Sequence, residues 1–305
     1  MTTIGIVWNP SKIDETVLRT AADAVFSEHD EVRWWETSED DPGKGMAQEA
    51  IESGCDVVVA VGGDGTVRAV AEALAGTDVE LGIVPQGTGN LLARNLEVPL
   101  DDVRAALERV RDGDARRIDL GWVEYDGGSH AFAVMIGFGI DARMLVETDD
   151  DLKDRAGWLA YIEAMGRALA GSEPTDVTLT VDDREPVSTR GHTLLVGNCG
   201  MLQGGIRLLP DAVPDDGLLD LLLISSDGAL QWMDTVRSVV WDNGLRRLFA
   251  GADAEAVDTD STRHLAAERV RVELASPQPF EIDGEDIGEV SAFAVHVQPG
   301  AIAVR

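Results

Sequence analysis

Lysine is nearly missing from this 305-residue sequence: only Lys12, Lys44 and Lys153 occur, and the other basic residues are arginines. Acids outnumber bases by 56 to 25, a formal charge of −31, which excludes the basic footprint of a nucleic-acid-binding protein. Cysteine is scarce as well. Cys55 and Cys199 make neither a disulfide framework nor a metal quartet, and the five histidines, at 29, 130, 192, 264 and 296, show no ligand spacing. No apolar run approaches the roughly 20 residues of a membrane helix. No charged start followed by an apolar run marks a signal peptide, so a cytoplasmic protein is expected. The P-loop pattern G-x-x-x-x-G-K-[ST] is absent.

What is present is a chain able to fold. Hydrophobic residues make up 44%, and the acids are scattered among patterned apolar segments, unlike a disordered chain. Abundant acid with almost no lysine is the composition expected of a salt-accumulating organism. At about 1 M salt the screening length falls to about 3 Å, which removes most self-repulsion and most repulsion from an anionic membrane surface.

The first third alternates strand and helix. Thr3 to Trp8, Glu31 to Glu36, residues 57–61 (VVVAV) and residues 81–84 read as strands. Residues 14–27 (with Val17, Leu18, Ala21 and Val25 on one side), 46–53, 67–74 and a stretch from about Leu91 read as helices, with Gly76 placed to cap the third. Such alternation means a doubly wound parallel sheet. From about Ile118 the texture becomes β-rich. Residues 118–125 and 130–136 form a hairpin around Asp126-Gly127-Gly128, residues 177–182 and 192–197 a second hairpin, and further strands fall at 218–224, 270–274, 280–283 and 293–297. Helical stretches interrupt at 155–170 and 229–248. Two domains are expected, an α/β domain over 1–118 and a mainly antiparallel β-sandwich over 119–305, and the last residues can return to the first.

Two loops carry chemistry. Gly62-Gly63-Asp64-Gly65-Thr66 follows the VVVAV strand and opens a helix. Its glycines admit an anion close to the backbone, and the helix N-terminus suits phosphate. An acid in that loop calls for a shared divalent cation, unless it merely caps the helix. Pro85-Gln86-Gly87-Thr88-Gly89-Asn90 ends the next strand, so both loops can face one ligand at the strand ends. Asp283-Gly284-Glu285 is either a plain hairpin turn or two acids placed to face metal and substrate. Gly137-Phe138-Gly139-Ile140-Asp141-Ala142 fits G-x-G-x-x-A but lacks a βαβ setting, and reads as a close-packed turn. Trp158, Tyr161 and Met165, and Trp232, Val236 and Val240, form stripes that line either a lipid cleft or the core.

VVVAVGGDGTVRAVAEAL followed by GIVPQGTGNLLAR resembles the diacylglycerol kinase catalytic domain family, which includes bacterial lipid kinases and sphingosine kinases. Ile118-Asp119-Leu120-Gly121, residues 137–142, residues 198–220 (NCGMLQGGIRLLPDAVPDDGLLD) and Ile282-Asp283-Gly284-Glu285 extend the similarity essentially from end to end. The resemblance implies ATP-dependent phosphorylation of a lipid hydroxyl, diacylglycerol-like or a related alcohol, at the membrane surface, with ATP and Mg²⁺ as cofactors. Nucleotide contacts then fall on Asn9, Thr37, Gly62, Gly63, Asp64, Gly65, Thr66, Val67, Arg68, Gly87, Thr88 and Asn90. Asp64 and Asp119 would share a Mg²⁺ network, and a structural Mg²⁺ would sit on Asp216 with backbone oxygens of Val213 and Leu218. Glu285 would be the general base, with Asp64 and Asp283 beside it among the catalytic acids. Two departures stand out: Asn9-Pro10-Ser11-Lys12-Ile13 lacks the family's Ser-Gly pair, and Leu91, not Asp, follows Asn90. The competing readings are an NAD kinase, which shares GGDGT, and a catalytically silent nucleotide- or lipid-binding regulator. An exposed sheet edge would support a homodimer.

Overall fold

The structure is a computed structural model and describes residues 2–139, 174–202, 207–225 and 262–305. The chain divides into two compact units, Met1–Leu120 with Gln298–Arg305, and Gly121–Val297. The architecture is mixed α/β, with an α/β first unit and a β-sandwich second unit.

In the first unit β1 (Thr3–Trp8), β2 (Glu31–Glu36), β3 (Val57–Gly62) and β4 (Glu80–Pro85) form a parallel sheet in the order β2-β1-β3-β4. Every residue of β3 is buried, as a parallel strand covered on both faces requires. Helix α1 (Glu15–Val25) is capped by Asp14, whose carboxylate accepts from the amides of Thr16 and Val17. It buries Leu18, Ala22 and Val25, whereas Val17, expected inward, is 55% exposed. Helix α2 (Lys44–Glu52) and α3 (Asp64–Leu74) follow, and α3 buries Val67, Val70, Ala71 and Leu74 on the expected face. The helix expected from Leu91 stops at Asn95 (α4, Leu91–Asn95). A separate α5 (Val103–Asp112), capped by Asp102, follows the break around Pro99.

The chain's end belongs to this unit. Within the long β14 (Glu285–Val304), Ala303 and Val304 pair in parallel with Glu80 and Leu81 of β4. Gly76, just past α3, donates its amide to the Ala301 carbonyl at 2.8 Å, and Gly300 donates to Asp119 Oδ1 at 2.6 Å. Ala301 and Ile302 are fully buried.

β5 (Arg116–Tyr125), whose residues from Gly121 onward belong to the second unit, and β6 (Gly128–Phe132) form the expected hairpin, and β7 (Met135–Phe138) is split from β6 by a bend at 133–134. The second expected hairpin is corrected. β8 (Thr175–Val181) pairs with β9 (Val187–Gly191), while β10 (Thr193–Gly197) pairs with β7 and with β11 (Leu219–Ile224). The stretch 187–191 supplies a strand too exposed on its outer side to show as an apolar run. β12 (Thr262–Ala267) adds to β11. The expected strands at 270–274 and 280–283 are one strand, β13 (Arg269–Ile282), with register breaks between Glu273 and Gln278 and between Pro279 and Glu281. Those irregularities let β13 pair with β8 at one end and β7 at the other. Phe132, Phe138, Phe280 and Phe293 fill the core, the last two with ring centroids 4.6 Å apart and tilted by 55°. Gly137 lies within β7, not in a turn; Ile140, Asp141 and Ala142, both expected helices and both aromatic stripes lie outside the described residues.

Ile302 is fully enclosed, so Ile302→Ala is expected to cost about 2–5 kcal/mol and Ile302→Val about 0.5–1.5 kcal/mol, read by urea unfolding. An alanine variant as stable as the parent would show that the terminal strand does not complete the first unit.

Candidate active site

Parallel strands end on the same edge of their sheet, and here four adjacent ends carry the residues singled out above. Thr37 follows β2 and donates its amide to the Trp8 carbonyl; Asn9 follows β1 and donates to Val61; Gln86 follows β4 and donates to Gly62. Each strand end is thus tied to its neighbour, at 2.9, 2.9 and 2.7 Å. The edge is one row, the place where open α/β sheets bind ligands.

The two glycine loops touch. A Cβ on Gly87 would lie 2.6 Å from Gly63 Cα, and one on Gly89 would lie 2.7 Å from Asp64 Oδ2, so any larger residue would push the loops apart. Asn90 sits in the left-handed region at φ 48°. Its side chain clamps its own loop, accepting from the Gly87 amide at 2.8 Å and donating to the Gly87 carbonyl at 2.7 Å. Arg94 Nε donates to the Gly89 carbonyl at 2.7 Å, a second clamp that the sequence pattern did not reveal.

Asp64 has a more specific place than its motif suggests. Its carboxylate accepts from the amides of Asn90 at 2.8 Å and Leu91 at 2.5 Å, across to the other loop. Burial pushes its pKa above the usual carboxylate range, opposed by those two amides, its own amide and the charge of Arg94. The amides at the start of α4 are therefore occupied. No side chain caps α3, whose N-cap is Gly63, so its first-turn amides are the ones offered to an anion. Thr66 is buried beneath Gly62, Val67 faces the core, Arg68 is half-buried, and Thr88 is exposed at the loop tip. Thr37 is 5% exposed, and its Oγ1 has no hydrogen-bond partner among the described residues. Asn9 spends Oδ1 on the amide and hydroxyl of Ser11, at 2.9 and 2.7 Å, closing the glycine-free turn.

In the second unit Asp283 and Gly284 have φ of 49° and 81° and join the paired residues Ile282 and Glu285, a two-residue turn of the kind that needs positive φ at both positions. Asp283 is buried and Glu285 exposed. The Asp283 carboxylate accepts from the amides of Ala133, Val134 and Met135. Elsewhere in this unit Asp216 Oδ1 accepts from the Leu218 amide at 3.0 Å, and Val213 is exposed. Burial, with the nearby carboxylates of Asp216 and Asp211, pushes Asp220 up to about 7. Among the described residues no three His, Cys, Asp or Glu side chains converge as a metal cluster.

Comparison with known proteins supplies the family. Residues 6–123 match the diacylglycerol kinase catalytic domain, and residues 134–305 match the YegS C-terminal NAD kinase beta sandwich-like domain. The chain belongs to the diacylglycerol kinase and YegS-like lipid kinase family. It is 31% identical over 246 residues to a diacylglycerol kinase of Mycobacterium tuberculosis, covering 76% of this chain and 75% of that one. It is also 31% identical over 279 residues to a Stenotrophomonas maltophilia protein named "Probable lipid kinase YegS-like", covering 88% and 84%. A crystal structure described as a diacylglycerol kinase of Bacillus anthracis has the same fold, with TM-score 0.68 at 20% identity over 99% of this chain and 96% of that one. An Archaeoglobus fulgidus NAD kinase solved with ATP shares the fold more distantly, with TM-score 0.51 at 13% identity over 99% and 92%. No helix among the described residues of this lipid kinase family member is long and apolar enough to cross a membrane.

Because Asp64 bridges to the Asn90 and Leu91 amides, Asp64→Ala is expected to speed hydrogen exchange at those two amides by about tenfold or more. Unchanged exchange at both amides would show that the bridge does not hold the loops.

Proposed function

We propose that this protein is an ATP-dependent lipid kinase that transfers the γ-phosphoryl group to the hydroxyl of a diacylglycerol-like or related lipid alcohol. The observation that carries this reading is the row of strand ends in the first unit, which aligns Thr37, Asn9 and two touching glycine loops around a helix N-terminus that no side chain caps. The fit to a nucleotide rests on residues present here. The Thr37 hydroxyl is a buried polar atom short of a partner among the described residues, and an unmade buried hydrogen bond costs about 1–3 kcal/mol. The amides of α3 suit a phosphate, and backbone groups of Gly62, Gly63, Gly65, Gly87 and Thr88 complete the cradle.

Hard oxygen donors suit Mg²⁺. Asp64 and Asp119 would hold it in the first unit, since a carboxylate has about four acceptor sites and can bond an amide and a cation together. Asp216, with the carbonyls of Val213 and Leu218, would hold a second ion; Asp220 is raised first by burial and then by the carboxylates of Asp216 and Asp211, and a cation relieves that second contribution. Bound Mg²⁺ neutralises phosphate charge during transfer. Glu285 accepts the alcohol's proton as its oxygen attacks the γ-phosphorus and the bond to the β-phosphate oxygen breaks, releasing ADP, because an un-ionised alcohol is a weak nucleophile. The reaction needs positioning and charge stabilisation, not a covalent nucleophile.

The second unit contributes an apolar cavity of about 190 Å³, lined by Leu179, Val181, Val187, Leu194, Leu221 and Leu223, among others. Val187 and Leu265, two of its lining residues, are exposed at 55% and 41%, unusual on so acidic a chain. An acyl chain fits this lining, and each methylene buried there contributes about 0.8 kcal/mol. The −31 charge meets an anionic bilayer most readily where concentrated salt screens it.

Labelled phosphate from ATP is expected to enter one component of a total lipid extract, identified by mass, and Glu285→Gln is expected to lower the rate by about 10²–10⁴-fold with ADP binding intact. Transfer to NAD but to no lipid would overturn the lipid assignment, and full activity in Glu285→Gln would overturn the base. Leu223→Trp, which fills the cavity, is expected to raise KM for a long-chain acceptor while leaving a short-chain one within about twofold. Equal effects on both acceptors would remove the cavity from substrate binding.

A further inference from the structure

Residues 133–134 form the bend between β6 and β7 and Met135 opens β7, and two segments remote in sequence grip the backbone of these three residues. On one side the Asp283 carboxylate accepts from the amides of Ala133 at 2.8 Å and of Val134 and Met135 at 2.9 Å each, and the Asp283 amide donates to the Met135 carbonyl at 2.9 Å. On the other, the amides of Asn198 and Cys199 both donate to the Val134 carbonyl, at 2.8 and 3.1 Å, and Asn198 Nδ2 reaches the Ala133 carbonyl at 3.3 Å. Every amide and every carbonyl of the bend is thus engaged. Asp283 is 5% exposed and Asn198 1%.

A two-residue turn by itself asks only for positive φ, which Gly or Asn supplies as well as Asp. It does not ask for a carboxylate buried on three amides 148 to 150 residues away. Charge-assisted bonds of that number fix the turn against the bend. The turn is immediately followed by Glu285, paired with Ile282 as the first residue of β14 and exposed. Holding Asp283 therefore sets where the Glu285 carboxylate stands. We infer that Asp283 is a positioning residue for Glu285, that the segment 133–135 is the platform it grips, and that Asn198 secures the platform from the opposite side. This rests on Glu285 being the base of the proposed transfer. It separates the two acids of one motif: one holds, the other reacts.

Asp283→Gly preserves the turn's conformational freedom and removes the anchor. Asp283→Asn keeps an acceptor for Val134 and Met135, which share Oδ1, and loses the bond from Ala133. The glycine variant is expected to lose about ten- to a hundredfold in kcat with KM for ATP unchanged, to distort the acid limb of the pH–rate profile, and to exchange amides 133–135 faster. The asparagine variant is expected to recover most of the rate and part of the protection. A folded glycine variant with parental kcat overturns the proposal. So does a loss that asparagine does not rescue and that added Mg²⁺ does, which would make Asp283 a ligand. Should the glycine variant not fold, Asp283→Asn decides alone: faster exchange at the Ala133 amide with a small fall in kcat at constant KM and constant thermal midpoint supports the proposal, and parental exchange at that amide overturns it. Activity retained in Glu285→Gln would remove the base and with it the positioning role, while exchange at 133–135 still reports whether Asp283 holds the bend, so the two failures are told apart.

Discussion

The carboxylate of Asp64 lies across the amides of Asn90 and Leu91, and the ligand-facing edge of the first unit depends on that bridge. Two glycine loops whose backbones touch have few side chains to keep them in register; the half-buried carboxylate of the first, bonded across to amides of the second, does it. Burial disfavours the charge, and the amides with Arg94 favour it. The bridge also decides which helix start is offered to a ligand. Charge on Asp64 occupies the start of α4, while the start of α3, only a residue away along the chain, has no side-chain cap. An acid inside the loop proposed to bind phosphate is then no contradiction, because its oxygens are aimed at the neighbouring loop's donors.

Asp283 repeats the device in the second unit. Again an acid precedes glycine, is removed from solvent and accepts backbone amides from a remote segment. Among the described acids the few that are buried have named partners. Asp119 accepts from Gly300, and Glu72 takes Lys44 at 2.6 Å. Acids elsewhere set the protein's interaction with solvent and salt, but these few join segments, and charged hydrogen bonds contribute about 1.5–3 kcal/mol each where surface pairs give about 0–1 kcal/mol.

Much of this was legible in the sequence where periodicity is local. β1 and β2 fall on the expected residues, and α3 buries the expected apolar face. The glycine loops were readable because strand-loop-helix order places them on one edge, and β3 and β4 are neighbours. The β-rich half was harder. β9 carries mostly exposed residues, and β13 changes partners through register breaks that no short apolar run records. Asp64 facing Asn90, and Asp283 facing the segment 133–135, are pairings across 26 and about 150 residues; a motif names the acid but not the amides it meets. The uncapped start of α3 and the buried Thr37 hydroxyl likewise depend on what surrounds them, which composition does not encode.

Three acids entered as candidates for chemistry, and their surroundings rank them. A general base must give a lone pair to an incoming proton and then release it. Asp283 commits its oxygens to three amides and Asp64 to two; protonating either would break bonds that hold its loop. Those acids are suited to holding position. Glu285 is exposed, begins a strand at the end of a tightly fixed turn, and has one methylene more than aspartate with which to reach. A carboxylate buried on amides and a carboxylate at the surface are compatible demands only when they fall on different residues, and Asp-Gly-Glu divides them so. The same division in the first loop leaves Asp64 as the brace, and the proposed function then presents the backbone of Gly63 and Gly65 to phosphate and gives the proton to Glu285.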